Sequence, residues 1–285
     1  MMVYRHLIYL VVPMLLAACV GTHQLSNQVV VENPYVQRVQ GMTHLGVVAM
    51  QKERWASAEN AFKHALQASI LANAPELIVQ SWYNLAMVHK AMWQQGKIKV
   101  TKVQDDLTQV LRIASQHGLK NQAVAAQLQL QLLEIKTGHK PKPMPSLPHG
   151  LSYDVYLTAA RVAQLQGEYT KAKQLYDKVL SMTKDDRTGL LLQAQAHMGL
   201  ALLAKKEGNQ KDVEIAAKKV LVICLRVGAP SISAHASMLL AGLASLPKQE
   251  RIDYAQRALA IYHILHDANG ERRAKALLDE WHVRE

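Results

Sequence analysis

The chain is short of the residues that usually carry chemistry or covalent bracing. Its 285 residues include only two cysteines, Cys19 and Cys224, and a single phenylalanine, Phe62. No CxxC, HExxH, GxSxG or Walker-type phosphate loop occurs, so the signatures of zinc proteases, serine hydrolases and P-loop nucleotide binders are absent. Proline is scarce as well. Four of the nine prolines crowd into Thr137–Gly150, "TGHKPKPMPSLPHG", which leaves the remaining sequence largely free of helix breakers. Crossing a bilayer takes about 20 apolar residues, and no segment after residue 18 is that long and that apolar. What remains is rich in alanine, leucine and glutamine. With 49% hydrophobic residues it is too apolar for disorder, and the expectation is an all-α fold.

Acid is also in deficit. Thirty-three Lys and Arg face 22 Asp and Glu, a formal charge of +11. In a cytosolic protein such an excess would point to nucleic acid. The front of the chain argues otherwise. After Arg5 come twelve apolar residues, Leu7–Ala18, too few to span a membrane and interrupted by Pro13, ending in two alanines and then Cys19. A short basic start, a short apolar centre and a small-residue end make a secretory signal. Export excludes nucleic acid as the partner and leaves anionic envelope components, peptidoglycan among them, as candidates for the basic surface.

The quartet Leu16-Ala17-Ala18-Cys19 resembles the lipobox of bacterial lipoproteins. That resemblance implies cleavage after Ala18, a diacylglyceryl group on the Cys19 sulfur and an acylated new amino terminus. Several acyl chains anchor far more firmly than one. Val20, rather than Asp, follows the cysteine. By the same resemblance this implies the outer membrane, facing the periplasm. Cys224, in the apolar run "VLVICLRV", then has no disulfide partner and reads as a small core residue.

Internal repeats organise the remainder. In "MTHLGVVAMQKERWASAENAFKHALQAS" Gly46 follows Leu45 on one helix, a break falls at Gln51-Lys52-Glu53, and Ala58, Phe62 and Ala65 follow at steps of four and three. Small residues at 46 and 58 let two backbones approach while Phe62 fills the space beside them. The pattern resembles the tetratricopeptide repeat. Its close-packing position recurs at 46, 86, 126, 160, 199 and 241, and Ala172, Tyr176 and Val179 repeat the second-helix positions. Pro75 and Pro230 suit first helical turns, and Gly118 and Gly228 suit helix ends. The resemblance implies a right-handed solenoid of eleven or twelve antiparallel helices whose first helices line a concave groove. The proline-rich stretch stands where the third repeat should have its second helix. The expected plan is a signal peptide 1–18, a tether 19–33, a helical half 34–138, a proline-rich loop 139–150 and a second helical half 151–285.

Candidate site residues follow from that plan. Cys19 is the lipidation site. The groove lining reads Gln40, Thr43, Val47, Met50, Gln80, Tyr83, Asn84, Met87 and Lys90, with Lys120 at the third repeat. Some tetratricopeptide domains clamp a C-terminal carboxylate through Lys and Asn. Here Asn84 and Lys120 fit that pattern, whereas Thr43 and Val47 stand where the first repeat would need Lys and Asn. His263 and His266, three apart beside Asp267, have a spacing that zinc could use, but thirteen histidines make chance pairs common. No catalytic residue, metal or cofactor is expected beyond the lipid on Cys19. The reading is a non-enzymatic, outer-membrane-anchored periplasmic scaffold for envelope proteins in pilus or secretion-system assembly. The alternative is a regulator of a peptidoglycan-synthesis enzyme that contacts the cell wall.

Overall fold

The computed structural model describes residues 33–52, 54–184, 186 and 189–282. Cys19, the signal segment and the tether up to residue 32 lie outside the described residues. Twelve α-helices and no strand occur among them. These are α1 (Pro34–Gln51), α2 (Trp55–Leu71), α3 (Pro75–Gln94), α4 (Val100–Gln116), α5 (Lys120–Lys136), α6 (Tyr153–Leu165), α7 (Tyr169–Thr183), α8 (Leu190–Lys206), α9 (Gln210–Val227), α10 (Pro230–Ala241), α11 (Lys248–Ile264) and α12 (Ala268–His282). No described helix is long and apolar enough to cross a membrane.

Local chemistry sets the helix ends. Asn33 Oδ1 accepts from the Tyr35 amide at 3.0 Å, and Pro34 starts α1 where its missing N–H is harmless. Pro75 and Pro230 do the same for α3 and α10. Asn209 caps α9 reciprocally: its Oδ1 accepts the Asp212 amide at 3.1 Å, and its Nδ2 donates to Asp212 Oδ2 at 2.7 Å. Gly228 ends α9 in the left-handed region, at φ 66°, and turns the chain toward α10.

The described residues up to Leu151 form one compact unit, and those from Ser152 onward form another. In each, consecutive helices pack most extensively as antiparallel pairs: α1 with α2 and α3 with α4 in the first, then α6 with α7, α8 with α9 and α10 with α11 in the second. First helices also touch across pairs, α1 with α3, and α6 with α8 and α8 with α10. Both units therefore stack like a tetratricopeptide solenoid, with first helices forming an inner row. All six predicted close-packing positions are buried. A Cβ at Gly46 would fall 2.5 Å from the Phe62 ring, and one at Gly199 would fall 2.1 Å from the Tyr176 ring. Tyr176 thus seats against the next pair, α8, as well as within its own. Gly270 of α12 repeats the device against Tyr262, with a Cβ only 2.3 Å from the ring, a site the repeat spacing did not reveal.

The proline-rich stretch contains no helix. It turns back along α5. The His139 amide bonds to the Glu134 carbonyl at 2.9 Å, Lys142 Nζ reaches Glu134 Oε1 at 2.7 Å, and Gln131 Nε2 donates to the Pro143 carbonyl at 2.8 Å. Met144, Pro145, Leu147 and Pro148 are half-buried. An extended strap thus covers α5 where a partner helix would otherwise lie.

Candidate functional site

The predicted groove residues fall on the inner row of the first unit, on α1, α3 and α5. They are not equivalent. Gln40 is exposed, whereas Thr43 is buried and unable to face a ligand. Val47 and Met50 pack against the core of Ala49, Ala58, Phe62, Leu85 and Val88. Tyr83 and Met87 pack against Ala86, Val103, Leu107 and Leu133. The two methionines are thus largely packing residues. Gln80, Asn84 and Lys90 are half-buried, and Asn84 Nδ2 has no hydrogen-bond partner among the described residues. Lys120, exposed as the first residue of α5, lies one full helix length from that helix's other end and does not join the others.

Two predicted residues are brought together by one that sequence reading missed. Lys90 Nζ donates to Gln129 Oε1 at 2.7 Å, and Gln129 Nε2 donates to Tyr83 OH at 3.3 Å. Gln129, buried on α5, thereby ties the first helices of two repeats into one polar surface. A glutamine amid "QLQLQLLEIK" gave no hint of that role. The second unit has an analogous tie across first helices, in which Arg161 of α6 donates to Gln195 of α8 at 3.1 Å. Burial disfavours the charge on Arg161, with the neighbouring Tyr176 hydroxyl opposing that effect.

Behind the groove lies a buried polar cluster. His89 of α3 is 3% exposed, and its Nδ1 bonds to Asp106 Oδ2 on α4, itself 1% exposed. His89 Nε2 lies 3.3 Å from Glu59 Oε1 on α2, and Lys102 Nζ lies 3.0 Å from Asp106 Oδ1. Lys63, 2.6 Å away, and then His89 hold the Glu59 carboxyl below its ordinary range, against the opposing effect of burial. The signal available in sequence was Asp106 itself, an acid inside the apolar stripe Val103, Leu107, Val110.

In the second unit His197 of α8 is half-buried near Lys219 of α9. Burial, helped by that lysine, pushes its pKa down to about 4. The ring stays neutral when folded and takes up a proton on unfolding between pH 6.5 and 4. Its contribution is fully present above about pH 6.5, falls as pH drops, and levels off below about 4, amounting to about 1–2 kcal/mol once partial exposure is discounted. Urea unfolding at pH 7 and pH 4.5 should show this loss, and His197→Gln should remove that part of the pH slope.

His263 Nδ1 lies 3.4 Å from Glu271 Oε1. Among the described residues no three His, Cys, Asp or Glu side chains gather as metal ligands would. Cys224 is buried, and burial raises its thiol pKa.

No family model matches the chain, and no curated protein does. Solved structures do match. One is a tetratricopeptide repeat protein from Parabacteroides merdae, 14% identical, with a TM-score of 0.35, the alignment covering 85% of this chain and 98% of that one. The architecture stated above stands on the helix pairing within each unit and not on that likeness.

Proposed function

We propose that the chain is a non-catalytic scaffold which holds a partner protein on the inner row of first helices, anchored by a lipid on Cys19 to the periplasmic face of the outer membrane. The observation that carries the reading is the surface joined by Tyr83, Gln129 and Lys90, where first helices of successive repeats are tied side chain to side chain. Such a surface combines an aromatic anchor with a cation and fixed amide groups, the mixture that protein interfaces favour. Assembly of a pilus or a secretion system is the specific service proposed, with an envelope protein as the partner.

Two measurements test this. Cys19→Ser should move the mature protein from the membrane fraction to the soluble periplasm; retention in the membrane would remove the lipid anchor. Crosslinking in intact cells should recover an envelope protein with the native chain and about tenfold less of it with Tyr83→Ala, a loss typical of one aromatic interface anchor. Equal recovery by both would remove the inner row as the binding face. The basic excess favours one competing reading, a regulator of peptidoglycan synthesis, for which salt-sensitive sedimentation with purified sacculi is the diagnostic.

A further inference from the structure

The first unit is electrostatically lopsided along its helix axes. Alternating helices bring the α1–α2 connection (51–54), the α3–α4 connection (95–99) and the segment leaving α5 (136–142) to one edge. These three stretches hold seven basic residues, Lys52, Arg54, Lys97, Lys99, Lys136, Lys140 and Lys142, and one acid, Glu53. All seven are exposed. The opposite edge carries the connections 72–74 (Ala-Asn-Ala) and 117–119 (His-Gly-Leu), which contain no Lys, Arg, Asp or Glu.

Helix physics explains only part of this. Cations beside the carboxyl ends of α1, α3 and α5 complement the helix dipole, which accounts for Lys52, Lys97 and Lys136. Arg54 and Lys99 do the reverse. They occupy the N-cap positions of α2 and α4, make no side-chain cap, and are followed by a first turn without acid. A cation there is disfavoured, and Ser, Asp or Asn would cap each helix better. Lys140 lies beyond α5 altogether, as does Lys142, whose exposed ammonium is paired locally with Glu134. Arg54 and Lys99 break the capping rule without a local gain, which is how a functional surface departs from the rule.

The geometry points to this edge as a docking face for the phosphate headgroups of an anionic phospholipid bilayer. Six of the seven cations are lysine, a compact hydrated point charge suited to a diffuse anionic surface rather than to bidentate recognition. The three stretches contain no Phe, Tyr or Trp to form a stacking platform for nucleobases, His139 being their one aromatic ring. Their only large aliphatic side chain is the half-buried Ile98, so no apolar anchor is offered to a protein partner. Packed helices are about 10 Å apart, so the charges spread over a broad face that a flat bilayer meets at once. Clusters of four to eight basic residues attract anionic membranes in roughly additive fashion. The inference does not depend on the lipid at Cys19 or on the partner face, and its failure would leave both intact.

The test floats the full-length chain with vesicles of phosphatidylcholine alone or with about one third phosphatidylglycerol, and takes the ratio of the two bound fractions, which cancels any contribution from the apolar amino-terminal segment. At low salt the ratio should be about tenfold or more and should fall toward one at 0.5 M salt. Lys52→Glu/Lys97→Glu/Lys99→Glu/Lys140→Glu should abolish the preference with an unchanged helical spectrum. The control Lys173→Glu/Lys184→Glu/Lys205→Glu/Lys206→Glu, equal in charge but in the other unit, should keep it. A ratio near one for the native chain, equal loss in both variants, or salt-sensitive binding to soluble polyglutamate or sacculi without vesicle binding would each overturn the proposal.

Discussion

Gly199→Ala should destabilise the second unit by about 2 kcal/mol, although alanine is the better helix former. Replacing a mid-helix glycine by alanine ordinarily gains about 1 kcal/mol from backbone entropy. Gly41 on α1 is the matching control. It is exposed, and a Cβ there meets nothing within 4 Å, so Gly41→Ala should raise stability by about 0.5–1 kcal/mol. At Gly199 a Cβ would sit 2.1 Å from Tyr176 Cζ and 2.5 Å from both adjacent ring carbons. The ring cannot step aside. Tyr176 is 1% exposed, and its hydroxyl donates to Gln164 Oε1 at 2.7 Å; burial pushes its pKa up to about 12. Overpacking a closed core costs about 1–3 kcal/mol and here exceeds the propensity gain. A double-mutant cycle with Tyr176→Leu checks the cause. Tyr176→Leu alone loses ring packing and the Gln164 bond, but it opens the space an alanine needs, so the double variant should be less destabilised than the sum of the singles by about 1 kcal/mol or more. Additive losses in urea unfolding would show that the collision is not what Gly199 avoids.

Much of the fold was legible because it follows from short-range rules. Pro75, Pro230, Gly118 and Gly228 mark helix ends through their own backbone preferences, and each stands at one. The small residues at 46, 86, 126, 160, 199 and 241 mark where backbones meet, since a larger side chain would hold the helices apart. The four prolines excluded a helix after α5, but they could not say that the segment folds back on α5, because that depends on Gln131 and Glu134 finding partners eight to twelve residues away. Leu45 shows the limit of a pattern. It holds the repeat's leucine position, yet it is 54% exposed on α1. The site was less legible than the fold. Tyr83 and Lys90 could be placed on one helix face from spacing alone, but Gln129 is 39 residues beyond Lys90, and nothing local distinguishes it from its neighbouring glutamines. Thr43 sits at a groove position by register and is nonetheless 4% exposed, a burial that its register alone does not reveal.

The largest loss should come from His89→Ala. His89 clasps three helices, with Nδ1 on Asp106 of α4 and Nε2 3.3 Å from Glu59 of α2. Both ring nitrogens face carboxylates. Removing the ring leaves Asp106, 1% exposed, facing Lys102 at 3.0 Å, and that lysine is half in water. Breaking a buried ion pair by deleting one member costs about 3–5 kcal/mol, because the desolvation penalty of the surviving charge is no longer offset. Replacing both partners is a different experiment. His89→Leu/Asp106→Leu removes the buried charges together and restores apolar volume between Val103, Leu107 and Val110, so it should recover most of the loss seen in His89→Ala. The two variants separate electrostatic from packing causes. If the double leucine variant were as unstable as His89→Ala in urea unfolding, shape and not charge would be what His89 supplies. If recovery occurs, the cluster is worth little to stability as such, and its value lies in the register it imposes on α2, α3 and α4. That register carries Tyr83 and Lys90 toward Gln129, so the recovered variant should fold yet still bind the partner more weakly than the native chain.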